Sequence, residues 1–150
     1  MTDLNIRPAV LDDLPAIVAM LADDPLGAGR ESPDDLTPYQ AAFARLATDP
    51  NQHLIVAERQ GQVVGTLQLT LIPGLSRRGA TRTIIEAVRI SAGERGSGLG
   101  TELIQWAVQR SRELGADLVQ LTSDATRTDA HRFYERLGFV ASHLGFKLAL

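Results

Sequence analysis

The sequence predicts a mixed α/β fold: a single central sheet, mostly antiparallel, flanked by helices. Two patterns carry that expectation. Strand-like runs at Gln52 to Arg59, Val63 to Ile72 and Arg82 to Ser91 follow one another across short turns, which implies an antiparallel meander. A helical stretch from Leu99 and a further strand at Leu118 to Thr122 then imply a parallel pair joined by a crossover. At 150 residues the chain is long enough to bury a sizeable core, and no linker, repeat or low-complexity tract divides it, so one domain is expected over 1–150.

The elements follow in order. Ile6 to Ala9 reads as a first strand. Leu14, Ile17, Val18 and Leu21 recur at helical spacing and predict a helix from Asp12 to Asp23. Turn formers crowd Asp24 to Pro33, and Thr37-Pro38 pairs an N-cap residue with a helix-opening proline, so a second helix is expected from Pro38 to about Ala47. In Val63 to Ile72, apolar Val63, Leu67, Leu69 and Leu71 alternate with Thr66, Gln68 and Thr70, as in a half-covered hairpin strand. Leu99, Leu103, Ile104, Ala107 and Leu114 share one helix face, closed by Gly115; Ala130, Phe133, Tyr134 and Leu137 share another, closed by Gly138. Phe139 to Ser142 and Phe146 to Leu150 read as final short strands.

Composition excludes several classes of function. The 44% hydrophobic and 22% charged content is that of an ordinary globular protein. A net charge of −3 argues against non-specific nucleic-acid binding, which draws on a positive field. No apolar run approaches the roughly 20 residues of a membrane span, and the start lacks a secretory pattern, so a cytoplasmic location is expected. Without cysteine there is no disulfide framework or thiolate site. His53, His131 and His143 show no metal-ligand spacing. Ser123, Asp124 and His131 invite a triad, but the glycines of a nucleophile elbow are missing.

The most informative segment is Arg95-Gly96-Ser97-Gly98-Leu99-Gly100, set between the strand ending at Ile90 and the helix opening near Leu99. A glycine loop at a helix N-terminus offers several backbone N–H groups to a phosphate; the bland alternative is a glycine-rich turn without a ligand. Gly96-x-Gly98 lacks the third glycine of a dinucleotide fingerprint, and no Gly-Lys-Ser/Thr follows, which sets aside a P-loop. Arg77, Arg78 and Arg82 form the one basic cluster, either a solvated turn or a rim that attracts anions.

Val88-Arg89-Ile90, four residues, then Arg95-x-x-Gly98-x-Gly100 resembles the acetyl-CoA signature of the GNAT superfamily of N-acetyltransferases. The run Ala130-His131-Arg132-Phe133-Tyr134-Glu135-Arg136-Leu137-Gly138-Phe139 is similar to that family's second hallmark, a helix-to-strand unit. The element order matches the family along essentially the whole chain. The resemblance implies an acetyl-CoA donor bound by the backbone of Gly96, Ser97, Gly98, Leu99, Gly100 and Thr101, with Arg95 assisting. It implies that the main chain of Val88, Arg89 and Ile90 pairs with the pantetheine arm. Many members carry asparagine three residues before the helix alanine, to bridge to the pantetheine; here that position is Arg127, so either Arg127 contacts the cofactor differently or this helix begins otherwise.

Acetyl transfer to an amine needs a neutral nucleophile, a stabilised oxyanion and a proton for the leaving thiolate. The resemblance places Tyr134 beside the sulfur as that acid, since a phenol keeps its proton at neutral pH; alternatively it is a core aromatic. Glu86 is the candidate base. It shares strand parity with Ile84, Val88 and Ile90, and desolvation among them would make it a better proton acceptor; the alternative is an ion pair with Arg89 or Arg82. The acceptor is expected at the loop from Asp24 to Leu36, where Arg30 and Glu31 are candidate substrate contacts, and at the turn Pro73 to Thr81.

The last two dozen residues also resemble aminoalkylphosphonate N-acetyltransferases. The expected activity is transfer of an acetyl group from acetyl-CoA to a primary amine, of a small molecule, by direct attack in a ternary complex. No metal, nucleic-acid or membrane partner is inferred. A non-catalytic acyl-CoA-binding module, a protein N-terminal or lysine acetyltransferase, and a peptide-binding regulator remain alternatives. The chain is read as a monomer or a homodimer, the latter through strands around Phe139 to Leu150.

Overall fold

In a computed structural model that describes residues 3–150, ten elements follow one another. They are β1 (Leu4–Pro8), α1 (Leu14–Ala22), α2 (Thr37–Ala47), β2 (Gln52–Arg59), β3 (Gln62–Ile72), α3 (Ser76–Gly79), β4 (Arg82–Ile90), α4 (Leu99–Glu113), β5 (Leu118–Leu121) and α5 (Thr128–Arg136). The strands form one sheet in the order β1-β2-β3-β4-β5, and β1 to β4 pair antiparallel, as the meander requires. Two compact units divide the chain, one ending at Gln120 and the other Leu121–Leu150.

In the first unit the core gathers where apolar alternation in β2 and β3 meets the inner stripes of α1 and α4. Ile55, Val56, Leu67 and Leu69 from the sheet are buried with Val18 of α1 and Leu99, Leu103 and Ile104 of α4. A Cβ added at Gly65 would lie 2.9 Å from Leu103 Cδ1, so glycine there lets α4 approach β3 closely. One polar contact crosses this packing. Ser111 Oγ donates to Ala107 O at 2.7 Å, which leaves Thr83 Oγ1 to donate to Ser111 Oγ at 2.7 Å.

Three local details differ from the sequence reading, each for a plain reason. The first helix is entered through a 3-10 turn at Leu11–Asp13, because Asp13 Oδ2 accepts the Val10 N–H at 2.8 Å and fixes that turn. Thr37 is helical rather than the cap: Asp35 Oδ1 accepts the Thr37 N–H at 3.1 Å. The segment α3 is one left-handed turn, with Arg77 at φ 54° and Arg78 at φ 62°. It holds only part of the expected basic cluster, since Arg82 Nη1 donates to Gln120 Oε1 at 3.1 Å.

In the second unit α5 forms as expected and Gly138 ends it at φ 97°. Tyr134 packs edge-on between Phe133 and Phe139, ring centroids 5.2 and 5.9 Å away. The two final strands expected at Phe139 to Ser142 and Phe146 to Leu150 are absent. Beyond Gly138 the backbone bonds run from Phe139 N to Tyr134 O and from Ser142 N to Val140 O, which is a turn and not a ladder. Leu144, Phe146, Leu148 and Leu150 keep a strand's alternation yet are 83% exposed or more. Alternation makes a strand only where a partner completes its hydrogen bonds.

The ion pair that fixes β1 to the entry of α1 has a nearly buried carboxylate. Arg7 donates to both Asp13 oxygens, at 2.8 and 3.0 Å, and to Glu58 Oε2 at 2.8 Å, while the Asp13 side chain is 8% exposed. The guanidinium bonds hold the Asp13 carboxyl below its ordinary value of 3.8, against the opposing effect of burial. Asp13→Asn should therefore cost about 2–4 kcal/mol in urea unfolding at neutral pH. Because the native carboxylate binds its proton less readily than the unfolded one, its contribution is whole above the ordinary value and is lost as pH falls below it. Between about pH 5 and pH 3 the variant should lose less stability than the parent.

Candidate active site

The site begins at an irregularity in β4. The pairing of β3 with β4 runs Gln68 to Glu86 and then Thr66 to Arg89, so one position of β3 faces two of β4. Ala87 takes up the extra residue at φ 54°, a left-handed backbone that costs a non-glycine residue about 1–2 kcal/mol. Residues directly opposite across a ladder share a face. Glu86 and Arg89 therefore lie on the face of Gln68 and Thr66, while Ile90, opposite Gly65, lies on the α4 face. The parity that grouped Glu86 with Val88 and Ile90 is broken at the bulge.

Glu86 is exposed. The apolar enclosure expected around it is absent, and so are both ion pairs. Arg89 Nε lies 3.2 Å from Asp24 Oδ2 and its Nη1 donates to Val88 O at 2.9 Å, whereas Arg82 is engaged with Gln120. The carboxylate stands open on the sheet face that carries α1 and α2.

The glycine loop starts one residue beyond β4, where Ser91 N donates to Val64 O at 2.8 Å. A 3-10 turn at Ala92–Glu94 then brings the chain to Arg95. Gly96 and Gly98 are left-handed, at φ 83° and 87°, and Gly98 caps α4 with no side-chain bond. The first bond of that helix runs from Glu102 N to Gly98 O at 3.2 Å. The amides of Leu99, Gly100 and Thr101 precede it, so the positive end of α4 is open to an acceptor. Ser97 N is committed to Glu94 O at 3.1 Å. A Cβ at Gly96 or Gly98 would meet nothing within 4 Å, so there is space in front of these amides. An anionic pyrophosphate fits such a seat.

β5 begins beside the start of β4, where Asp117 N donates to Thr81 O at 2.8 Å, and it has four residues against nine in β4. The second half of β4, including Val88, Arg89 and Ile90, thus runs on past the length that β5 pairs. An extended ligand arm can use main-chain groups there as an added strand would.

The loop after α1 lies against this seat. Arg95 Nη2 donates to Asp23 O and Asp23 Oδ2, both at 3.2 Å. The two side chains are 56% and 59% exposed, so the pair is worth under about 1 kcal/mol and a phosphate can take its place. Asp24 is more firmly held. The Gly27 amide, with Arg89 adding to it, keeps its carboxyl below the usual range. Neither aspartate was singled out by the sequence; their position straight after an apolar helix was the available signal.

Further along, Arg30 is exposed and Glu31 half-buried. Tyr39 of α2 holds the loop there: its hydroxyl accepts from Ser32 N at 2.8 Å and donates to Glu31 Oε1 at 3.0 Å. Between α1, α2 and the sheet lies a cavity of about 150 Å³, with Ala87 among its lining residues.

Tyr134 and Arg127 belong to the second unit, Tyr134 within α5 and Arg127 just before it. His131 Nε2 contacts Asp124 O at 2.8 Å, whereas the Asp124 carboxylate takes the Thr126 hydroxyl at 2.6 Å. That is local capping and not a triad. Among the described residues no three His, Cys, Asp or Glu side chains gather as a metal site would need. No helix among them is long and apolar enough to cross a membrane.

Residues 14–139 match the model of the Acetyltransferase (GNAT) family. The chain belongs to this family. It is 32% identical to the aminoalkylphosphonate N-acetyltransferase of Salmonella typhimurium, over 97% of this chain and 91% of that protein. It is 29% identical to an L-methionine sulfoximine/L-methionine sulfone acetyltransferase of Pseudomonas aeruginosa, over 92% and 81%. Among solved structures, a transcriptional regulator from Bacillus halodurans is 45% identical, with a TM-score of 0.95 over 98% of this chain and 99% of that one. The α/β fold expected from the element order and the family expected from the two motifs both hold.

Gly98→Ala tests the phosphate seat. Forcing a side chain onto φ 87° should lower stability by about 1 kcal/mol and re-aim the first amides of α4. Calorimetry with coenzyme A should show affinity reduced roughly tenfold or more, beyond any change in the fraction folded. Unchanged affinity would remove Gly98 from the seat.

Proposed function

We propose that the protein transfers an acetyl group from acetyl-CoA to the primary amine of a small molecule, by direct attack in a ternary complex. The observation that carries this reading is the open N-terminus of α4, which follows the left-handed Gly96 and Gly98 and has no side-chain cap. The names of the curated relatives, which describe acetyltransferases of small amines, support it.

When bound, acetyl-CoA supplies an activated acetyl thioester. The amides at the start of α4 hold its pyrophosphate and Arg95 turns from Asp23 to assist them. The main chain from Val88 to Ile90 aligns its arm. Glu86, through a water, takes the proton that the acceptor ammonium must lose before its nitrogen can attack. Tyr134 gives its phenolic proton to the departing sulfur. A backbone N–H near Val88 polarises the thioester carbonyl. Arg127, where relatives place asparagine, contacts the cofactor through its charge, and Arg30 and Glu31 border the acceptor.

Steady-state kinetics with thiol detection test these roles. Tyr134→Phe should lower kcat by roughly 10²-fold with little change in acetyl-CoA affinity. Glu86→Gln should lower kcat/KM for the amine and flatten the rise of rate with pH; a full rate with the parent's pH profile removes Glu86 as base.

A second reading, favoured by the description of the Bacillus relative as a transcriptional regulator, is a non-catalytic acyl-CoA-binding module. It requires acetyl-CoA binding without thiol release from any amine, and indifference to both substitutions.

A further inference from the structure

The cavity under α2 names a class of acceptor. In α2 the apolar residues Tyr39, Ala42, Phe43 and Leu46 recur at i, i+3, i+4 and i+7, the stripe of a helix that packs on a core. Yet no residue of α2 is buried, and these four are only half-buried. The stripe faces a cavity instead of closing onto the sheet, and Leu14, Ile17 and Val18 of α1 form the opposite wall.

The polar side chains of the lining are already engaged. Tyr39 hydroxyl bonds Ser32 N and Glu31. Thr66 Oγ1 donates to Ile55 O at 2.8 Å, and Gln68 Nε2 to Gln52 Oε1 at 2.9 Å. No cationic residue is in the lining. Arg89, the cation on the same sheet face, is paired with Asp24. A phosphonate, phosphate or carboxylate placed there would lose its water and gain no cationic partner from the lining, which is a large penalty. An apolar group would lose nothing and shed its hydration.

Position fixes the occupant. Ala87, the bulge residue, lines the cavity and is exposed, so the cavity opens beside Glu86. A group seated under α2 would leave an attached amine at the carboxylate proposed to deprotonate it. The volume, about 150 Å³, is that of a cavity known to hold benzene. Resting on the function proposed above, we infer that the acceptor is a primary alkyl- or aralkylamine with an uncharged apolar group about the size of a phenyl ring, held between α1 and α2. Anionic aminophosphonates are the wrong chemistry for this lining, despite the relative that carries their name.

The experiment compares 2-phenylethylamine, ethylamine and 2-aminoethylphosphonate as acceptors, with acetyl-CoA affinity measured separately by calorimetry. The expected kcat/KM for 2-phenylethylamine exceeds that for ethylamine by roughly thirtyfold or more, and aminoethylphosphonate is the poorest of the three. Ala42→Phe, which fills the cavity, should collapse the phenylethyl-to-ethyl ratio toward one while acetyl-CoA affinity is retained. Phe43→Ala, which enlarges it, should move preference toward a naphthyl-bearing amine, so the test survives if the filled variant does not fold. A further readout needs no chemistry: 2-phenylethylamine should raise the Tm of the parent protein without acetyl-CoA, and not that of Ala42→Phe. Aminoethylphosphonate as best acceptor, or a ratio that neither variant moves, overturns the inference and leaves the transferase reading standing. Failure to bind acetyl-CoA overturns that reading, and the inference with it.

Discussion

The arrangement of the site depends on one backbone constraint, the bulge at Ala87. Without it β4 would continue its register against β3, and Arg89 would point to the α4 face of the sheet. Leu103 already presses against Gly65 there, with room for no guanidinium. With the bulge, Arg89 joins Glu86 on the opposite face and meets Asp24. A left-handed alanine is a standing cost of about 1–2 kcal/mol. It persists because ladder bonds to β3 hold β4 on both sides of it. Ala87 is exposed, so its methyl group adds no crowding to that cost.

A second dependency follows from the first. The loop after α1 is held at three points of unequal strength. Tyr39 fixes its far end by two hydrogen bonds, the Gly27 amide and Arg89 fix Asp24, and an exposed pair joins Asp23 to Arg95. A Cβ at Gly27 would fall 1.9 Å from Leu21 O, so the loop folds tightly back on the end of α1 and glycine is required there. The weakest of the three ties is the one on the proposed pyrophosphate ligand. Loss of that pair to a phosphate leaves the other two in place, and the loop keeps its position while the donor side fills.

Most of the fold was legible because each element announces itself locally. The alternation in β3, the apolar stripe of α4, and the stops at Gly115 and Gly138 are properties of consecutive residues, and the strand-loop-helix order placed the glycine seat. The bulge was not legible: Glu86-Ala87-Val88 contains no glycine or proline, and the misfit arises only when β4 is laid against β3. The orientation of Glu86 was missed for the same reason, since parity counts residues and a bulge adds one. The ion-pair partners of Arg89 and Arg95 were hidden because sequence distance is blind to a loop that folds back across the sheet. The final strands failed differently. Their alternation is real, but a strand also needs a neighbour, and no pattern within Leu144 to Leu150 can supply one.

The proposed site would divide recognition between backbone and side chain, which bears on why the sequence points to a donor and leaves the acceptor open. At the proposed donor end, Leu99, Gly100 and Thr101 offer amides, and glycine at φ near 85° sets their direction, so chemistry and sequence are tightly linked. At the proposed acceptor end one wall of the lining comes from α2, a helix with no buried residue. Substitution at Ala42 or Phe43 changes the shape of a cavity and not the packing of a core, so it carries little of the large penalty attached to Leu67 or Leu103. Relatives can keep the donor seat unchanged and reshape the space under α2 at small cost in stability. A chain can then share a third of its residues with an aminoalkylphosphonate acetyltransferase while its lining has the chemistry for a different amine.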